Sequence, residues 1–119
     1  MTALSTWTAV CALSDLLPGR GVAALLPDGA QIALFRADEL HAGTYALSNV
    51  DPFSGAAVLS RGIVGDLGGA PVVASPMHKQ HFDLRSGVCV EDGSASVRVY
   101  PVRVADGVLM VGAAPPPRN

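Results

Sequence analysis

Short apolar runs that alternate with polar residues, each closed by glycine or proline, recur along the whole chain. Trp7-Thr8-Ala9-Val10-Cys11-Ala12-Leu13 alternates between two faces and contains the only tryptophan, which predicts an opening strand packed on the core. Val22-Ala23-Ala24-Leu25-Leu26 and Gln31-Ile32-Ala33-Leu34-Phe35 flank Pro27-Asp28-Gly29, so these two strands are expected to form a hairpin. Arg36 to Gly43 is too short for more than one helical turn, and His41 within it is expected to be exposed. Thr44-Tyr45-Ala46-Leu47-Ser48 is a further strand, broken by Asn49-Val50-Asp51-Pro52-Phe53-Ser54-Gly55, where Asn and Asp favour turns bonded from side chain to backbone.

The pattern then repeats. Ala70-Pro71-Val72-Val73-Ala74 is a strand that enters Ser75-Pro76; proline cannot donate to a ladder and biases Ser75 to extended backbone, so the chain leaves the sheet at a defined place. A polar loop with His78 and His81 follows, Phe82-x-Leu84 resumes the alternation, and Gly87 turns the chain. Ser96 to Val104 alternates throughout, with Pro101 marking a break, bulge or edge. Asp106-Gly107 before Val108-Leu109-Met110-Val111 is the strongest hairpin signal in the chain. Many short strands with Gly and Pro turns and no sustained helical period predict an all-β domain, either a sandwich or a partly open barrel. One domain over residues 1–114 is expected, with 115–119 as a mobile Pro-rich tail.

Composition narrows the function. A length of 119 residues suits one domain, and the net charge of −2 with dispersed Lys and Arg offers no basic stripe for nucleic acid. No apolar run approaches the roughly 20 residues that span a bilayer, and Met1 to Ser5 lacks the features of a signal peptide, so a cytoplasmic protein without a membrane partner is expected. Cys11 and Cys89 read as reduced core residues.

Candidate chemistry converges on the two loops. His78 and His81 with Asp51 or Cys89 fall short of a committed metal ligand set. Ser75, His78 and Asp51 are the residue types of a triad, but no nucleophile-elbow sequence surrounds Ser75. The glycines at 62, 65, 68 and 69 lack the lysine and helix of a phosphate loop, and Arg20-Gly21 reads as a solvated turn. Neither metal, nucleotide nor hydrolase chemistry is therefore expected.

Ser75-Pro76-Met77-His78-Lys79-Gln80-His81-Phe82 resembles the second ligand loop of Rieske iron–sulfur domains, whose pattern is Cys-Pro-x-His-Gly-x-x-Phe; Leu47 to Gly55 sits where such domains carry Cys-x-His. Asn49, Asp51 and Ser75 occupy three vestigial ligand positions and His78 keeps the fourth. Amide, carboxylate and hydroxyl are poor donors to sulfide-bridged irons, so no cluster is expected on this chain. The whole pattern, from about Thr6 to Val111, is similar to the cluster-free Rieske-like small subunit of assimilatory NAD(P)H-dependent nitrite reductase.

That resemblance implies a Rieske-like (ISP-type) antiparallel fold with a larger β base and a smaller lobe at about residues 45–87. It implies a non-redox subunit docked on a large subunit carrying FAD, sirohaem and an iron–sulfur cluster, where nitrite is reduced to ammonium. Asp51, Pro52, Phe53, Met77, His78, Lys79 and Gln80 are the candidate docking residues, since exposed Phe and Met beside polar groups is how binding patches are composed. The alternatives are an electron-transfer ferredoxin with unconventional ligands and a free-standing β interaction module.

Overall fold

The computed structural model describes residues 7–36, 43–77 and 79–112. His41, the ligand-pattern residue His78 and the Pro-rich tail at 115–119 lie outside the described residues. Among the described residues the strands are β1 Trp7–Ala12, β2 Gly21–Leu25, β3 Gln31–Arg36, β4 Thr44–Ser48, β5 Ile63–Leu67, β6 Ala70–Ala74, β7 His81–Asp83, β8 Val99–Tyr100, β9 Val102–Ala105 and β10 Val108–Gly112. Single 3-10 turns at Leu13–Asp15 and Leu59–Arg61 accompany them.

Three antiparallel sheets result. They run in the orders β1-β10-β9, β2-β3-β4-β8 and β5-β6-β7. The expected hairpin of β2 and β3 pairs Val22 with Leu34 and Ala24 with Ile32. Asp106 and Gly107 join β9 to β10 with φ of 52° and 76°, the two left-handed positions that a type I′ turn needs.

β3 is the wall between two cores. Its apolar run Ile32-Ala33-Leu34-Phe35 is buried on both faces, and side-chain alternation sends neighbouring residues opposite ways. Ile32 and Leu34 join Leu16, Leu26, Leu109 and Val111 between the first two sheets. Ala33 and Phe35 join Leu47, Val73, Phe82 and Leu84, tying the second sheet to the third. Complete burial of an aromatic such as Phe35 or Phe82 contributes about 2–3 kcal/mol each, so β3 couples the β5-β6-β7 sheet firmly to the base.

The alternating run from Ser96 to Val104 breaks at Pro101, one of the outcomes expected there: β8 pairs with β4 whereas β9 pairs with β10. Pro101 has no N–H for the ladder, and its carbonyl accepts the Gly112 N–H at 2.9 Å, so the chain turns a corner there from one sheet into the next. The opening strand packs on the core as expected, through Val10 and Cys11, while Trp7 lies half-buried on this edge strand with the Arg103 guanidinium 4.9 Å from its ring centroid. Cys89 is buried as expected, and Cys11 is half-buried against the first core.

The turn at Leu59–Arg61 reaches β6 through Gly62. Its φ of −73° and ψ of 172° are ordinary, yet a Cβ there would collide with the Ala74 carbonyl oxygen and meet Val73 Cγ2 at 2.7 Å. Gly62→Ala is expected to lower stability by about 1–3 kcal/mol, seen as a fall in urea midpoint at unchanged slope. A variant as stable as the parent would contradict this close approach.

Candidate functional site

β4 and β6 end side by side at the two loops the sequence singles out. The first loop closes on itself: the Gly55 N–H donates to the Asp51 carbonyl at 2.7 Å and the Asp51 N–H to Ala56 at 2.8 Å. The second closes likewise, with the Ser75 N–H on the Gln80 carbonyl and the Lys79 N–H on the Ser75 carbonyl, both at 2.9 Å.

Three buried polar side chains hold these loops, and one bond, between Ser75 and Asp51, joins the two. Asn49, Asp51 and Ser75 are 3%, 0% and 1% exposed, and a polar group so deep in protein is stable only when hydrogen-bonded. Asn49 Oδ1 accepts the Ser60 N–H at 2.6 Å, and its Nδ2 donates to the Ala57 carbonyl at 3.3 Å. Asp51 Oδ1 accepts the N–H groups of Phe53 at 2.7 Å and Ser54 at 3.4 Å. The Ser75 hydroxyl donates to Asp51 Oδ2 across 24 residues of sequence, and its oxygen accepts the Met77 N–H at 3.3 Å. The result is a latch whose charged centre is the Asp51 carboxylate.

The remaining candidates take their places around it. Ser75 and Asp51 do meet, but both are buried, so no substrate carbonyl reaches the hydroxyl. His81 faces Glu91 instead: its backbone N–H donates to Oε1 at 2.8 Å and its Nδ1 lies 2.6 Å from Oε2. The His81 backbone N–H, followed by its imidazole, holds the Glu91 carboxyl below the usual range. The Cys89 thiol donates to the same carboxylate at 3.7 Å. Among the described residues no three His, Cys, Asp or Glu side chains are placed to hold a metal ion. Sequence reasoning missed Glu91, which reads there as an ordinary turn residue. Further along, the Arg85 guanidinium beside Asp83 holds that carboxyl below its ordinary value at the turn before Gly87.

Of the docking candidates, Asp51 is inside and serves the loop rather than a surface. Pro52, Phe53, Met77 and Lys79 are exposed, and Gln80 is half-buried. Phe53 leans on the buried Phe82, with ring centroids 6.2 Å apart, and leaves 39% of its surface open. Gln80 Oε1 is buried without a hydrogen-bond partner among the described residues.

Comparison with known proteins resolves what this arrangement descends from. Residues 6–112 match the family described as the Rieske-like [2Fe-2S] domain. The chain belongs to that family. It is 45% identical over 111 residues to the NADH nitrite reductase small subunit of Salmonella typhimurium, covering 91% of this chain and 98% of the relative. A crystal structure described as an NADH-dependent nitrite reductase small subunit from Mycobacterium tuberculosis superposes with a TM-score of 0.88 at 52% identity, covering 94% of this chain and 98% of that one. A third relative is the nitrite reductase [NAD(P)H] large subunit of Klebsiella oxytoca, 44% identical over 106 residues, which cover 89% of this chain but 11% of that protein. There the same domain is part of the large subunit's own polypeptide.

A Rieske-like domain raises the question of a [2Fe-2S] cluster, and the donor set answers it. The cluster needs two thiolates and two imidazoles. The residues that resemble its ligand positions in sequence offer the amide of Asn49, the carboxylate of Asp51 and the hydroxyl of Ser75, and the polar atoms of all three are engaged in hydrogen bonds within the protein. These residues do not fit the cluster. Removing the centre of the latch should be costly: Asp51→Ala leaves two backbone N–H groups and the Ser75 hydroxyl unpaired, an expected loss of about 3 kcal/mol or more. Ser75→Ala removes one donor and is expected to cost about 1–3 kcal/mol. Urea unfolding of both variants measures this, and an Asp51→Ala protein within ~0.5 kcal/mol of the parent would contradict the latch.

Proposed function

We propose that this chain is the non-redox small subunit of an NAD(P)H-dependent nitrite reductase of nitrate assimilation, acting in the cytoplasm on a large subunit that carries FAD, sirohaem and an iron–sulfur cluster and reduces nitrite to ammonium. The observation that carries the reading is the latch. A fold otherwise built to present a cluster at its tip has spent those positions on hydrogen bonds that fix the two loops, and similarity to nitrite reductase small subunits extends over nine-tenths of the chain. The Klebsiella relative supports the partner, since joining the domain to the large subunit holds the two at high effective concentration. No helix among the described residues is long and apolar enough to cross a membrane, and both cysteines are unpaired, which suits a reducing compartment.

Such a subunit stabilises or shapes its partner without carrying electrons. Co-expressed with the large subunit, the tagged chain is expected to retain it through purification, and the pair to oxidise NAD(P)H with nitrite faster than the large subunit alone. A large subunit that neither co-purifies with the chain nor changes its turnover when the chain is added would contradict the proposal.

A further inference from the structure

Lys79 stands at the turn of the second loop, where its N–H closes the loop on the Ser75 carbonyl. Its φ is +64°, in the left-handed region, where a side chain is strained and glycine is not. The Rieske pattern carries glycine at this place, and the backbone here has kept the glycine-like conformation while the residue has become a lysine. Its side chain is exposed and makes no ion pair among the described residues. The left-handed turn that makes this closure leaves a cationic side chain projecting to solvent.

Two exposed apolar side chains belong to the same pair of joined loops. Phe53 and Met77 are 39% and 50% exposed, each next to a proline that stiffens its loop. Both hang from the latch, Phe53 by its N–H on Asp51 Oδ1 and Met77 by its N–H on Ser75 Oγ. They are therefore held in place before any partner arrives, which removes much of the ordering cost of an interface. Other exposed apolar residues such as Ile63 and Val104 sit on strands without this pairing of aromatic, methionine and fixed cation.

We infer that Phe53, Met77 and Lys79 form the docking tip of the chain, which seats in an apolar recess of the large nitrite reductase subunit with a carboxylate opposite Lys79. The inference rests on the small-subunit reading above. Its occupant follows from the Klebsiella relative, in which this domain and the large subunit are one polypeptide. Its chemistry follows from the tip: aromatic and methionine anchors fill pockets at interface centres, and a lone cation at the rim is matched by an acid.

The test is titration of the large subunit, with its cofactors, by the full-length chain and three variants, with the urea midpoint of each variant alone recorded beside its affinity. Met77→Asp puts a charge on an anchor that packs in neither core cluster, and is expected to weaken binding at least tenfold at an unchanged midpoint. Lys79→Gly relieves the left-handed strain and removes the cation. It is expected to raise the midpoint while weakening binding and flattening its salt dependence, a combination that a purely structural role does not produce. Val104→Asp, on β9 of the first sheet, is expected to bind within twofold of the parent. Binding by Met77→Asp and Lys79→Gly within twofold of the parent, or an equal loss in Val104→Asp, would overturn the tip assignment and leave the subunit reading standing. Failure of the parent chain itself to bind would overturn both.

Discussion

The hydrogen bond from the Ser75 hydroxyl to the Asp51 carboxylate is the contact on which the shape of the tip depends. It joins loops 24 residues apart in sequence, and each partner also binds backbone in its own loop, so the bond couples two local turns into one unit. In a low-dielectric interior such a charge-assisted bond is strong, and leaving it unmade is costly. A metal centre bridges loops through coordination. Here a carboxylate and a hydroxyl hold the crossing, and the Asn49 amide steadies the first loop against Ala57 and Ser60.

The latch works because something rigid stands behind it. β3, buried on both faces, fixes β4 on one side, and the core of Phe35, Leu47, Val73 and Phe82 fixes β6 on the other. The strand ends that deliver Asn49 and Ser75 are thereby set before the loops form their own bonds. Phe53 completes the arrangement by covering Phe82, which lies directly beneath the two loops.

Much of this was legible in the sequence, for local reasons. Turns with fixed chemistry, Pro27-Asp28-Gly29 and Asp106-Gly107, announce their hairpins because few residues accept those backbone angles. The two loops that carry Asn49, Asp51 and Ser75 stood out because their spacing resembles that of a known loop pair, and the structure buries all three side chains. What the sequence could not show was tertiary. Alternation from Ser96 to Val104 is the same whether one strand or two are built, and only the neighbours β4 and β10 decide that Pro101 is a corner. Strand β1 reads as core-packed, but only its neighbours decide that Val10 and Cys11 carry the packing while Trp7 lies beside Arg103. Asp51 reads as a loop-surface residue, and its complete burial follows from a partner in a distant loop. The cost borne at Lys79 likewise appears only in its backbone angle.

Whether hydrogen bonds stand in place of a cluster is decided by iron, acid-labile sulfide and the visible spectrum of the chain expressed and purified anaerobically by itself. A colourless, folded protein without stoichiometric iron or sulfide is expected. A brown protein with both near two per chain, the content of one [2Fe-2S] cluster, would contradict it and make this chain an electron carrier.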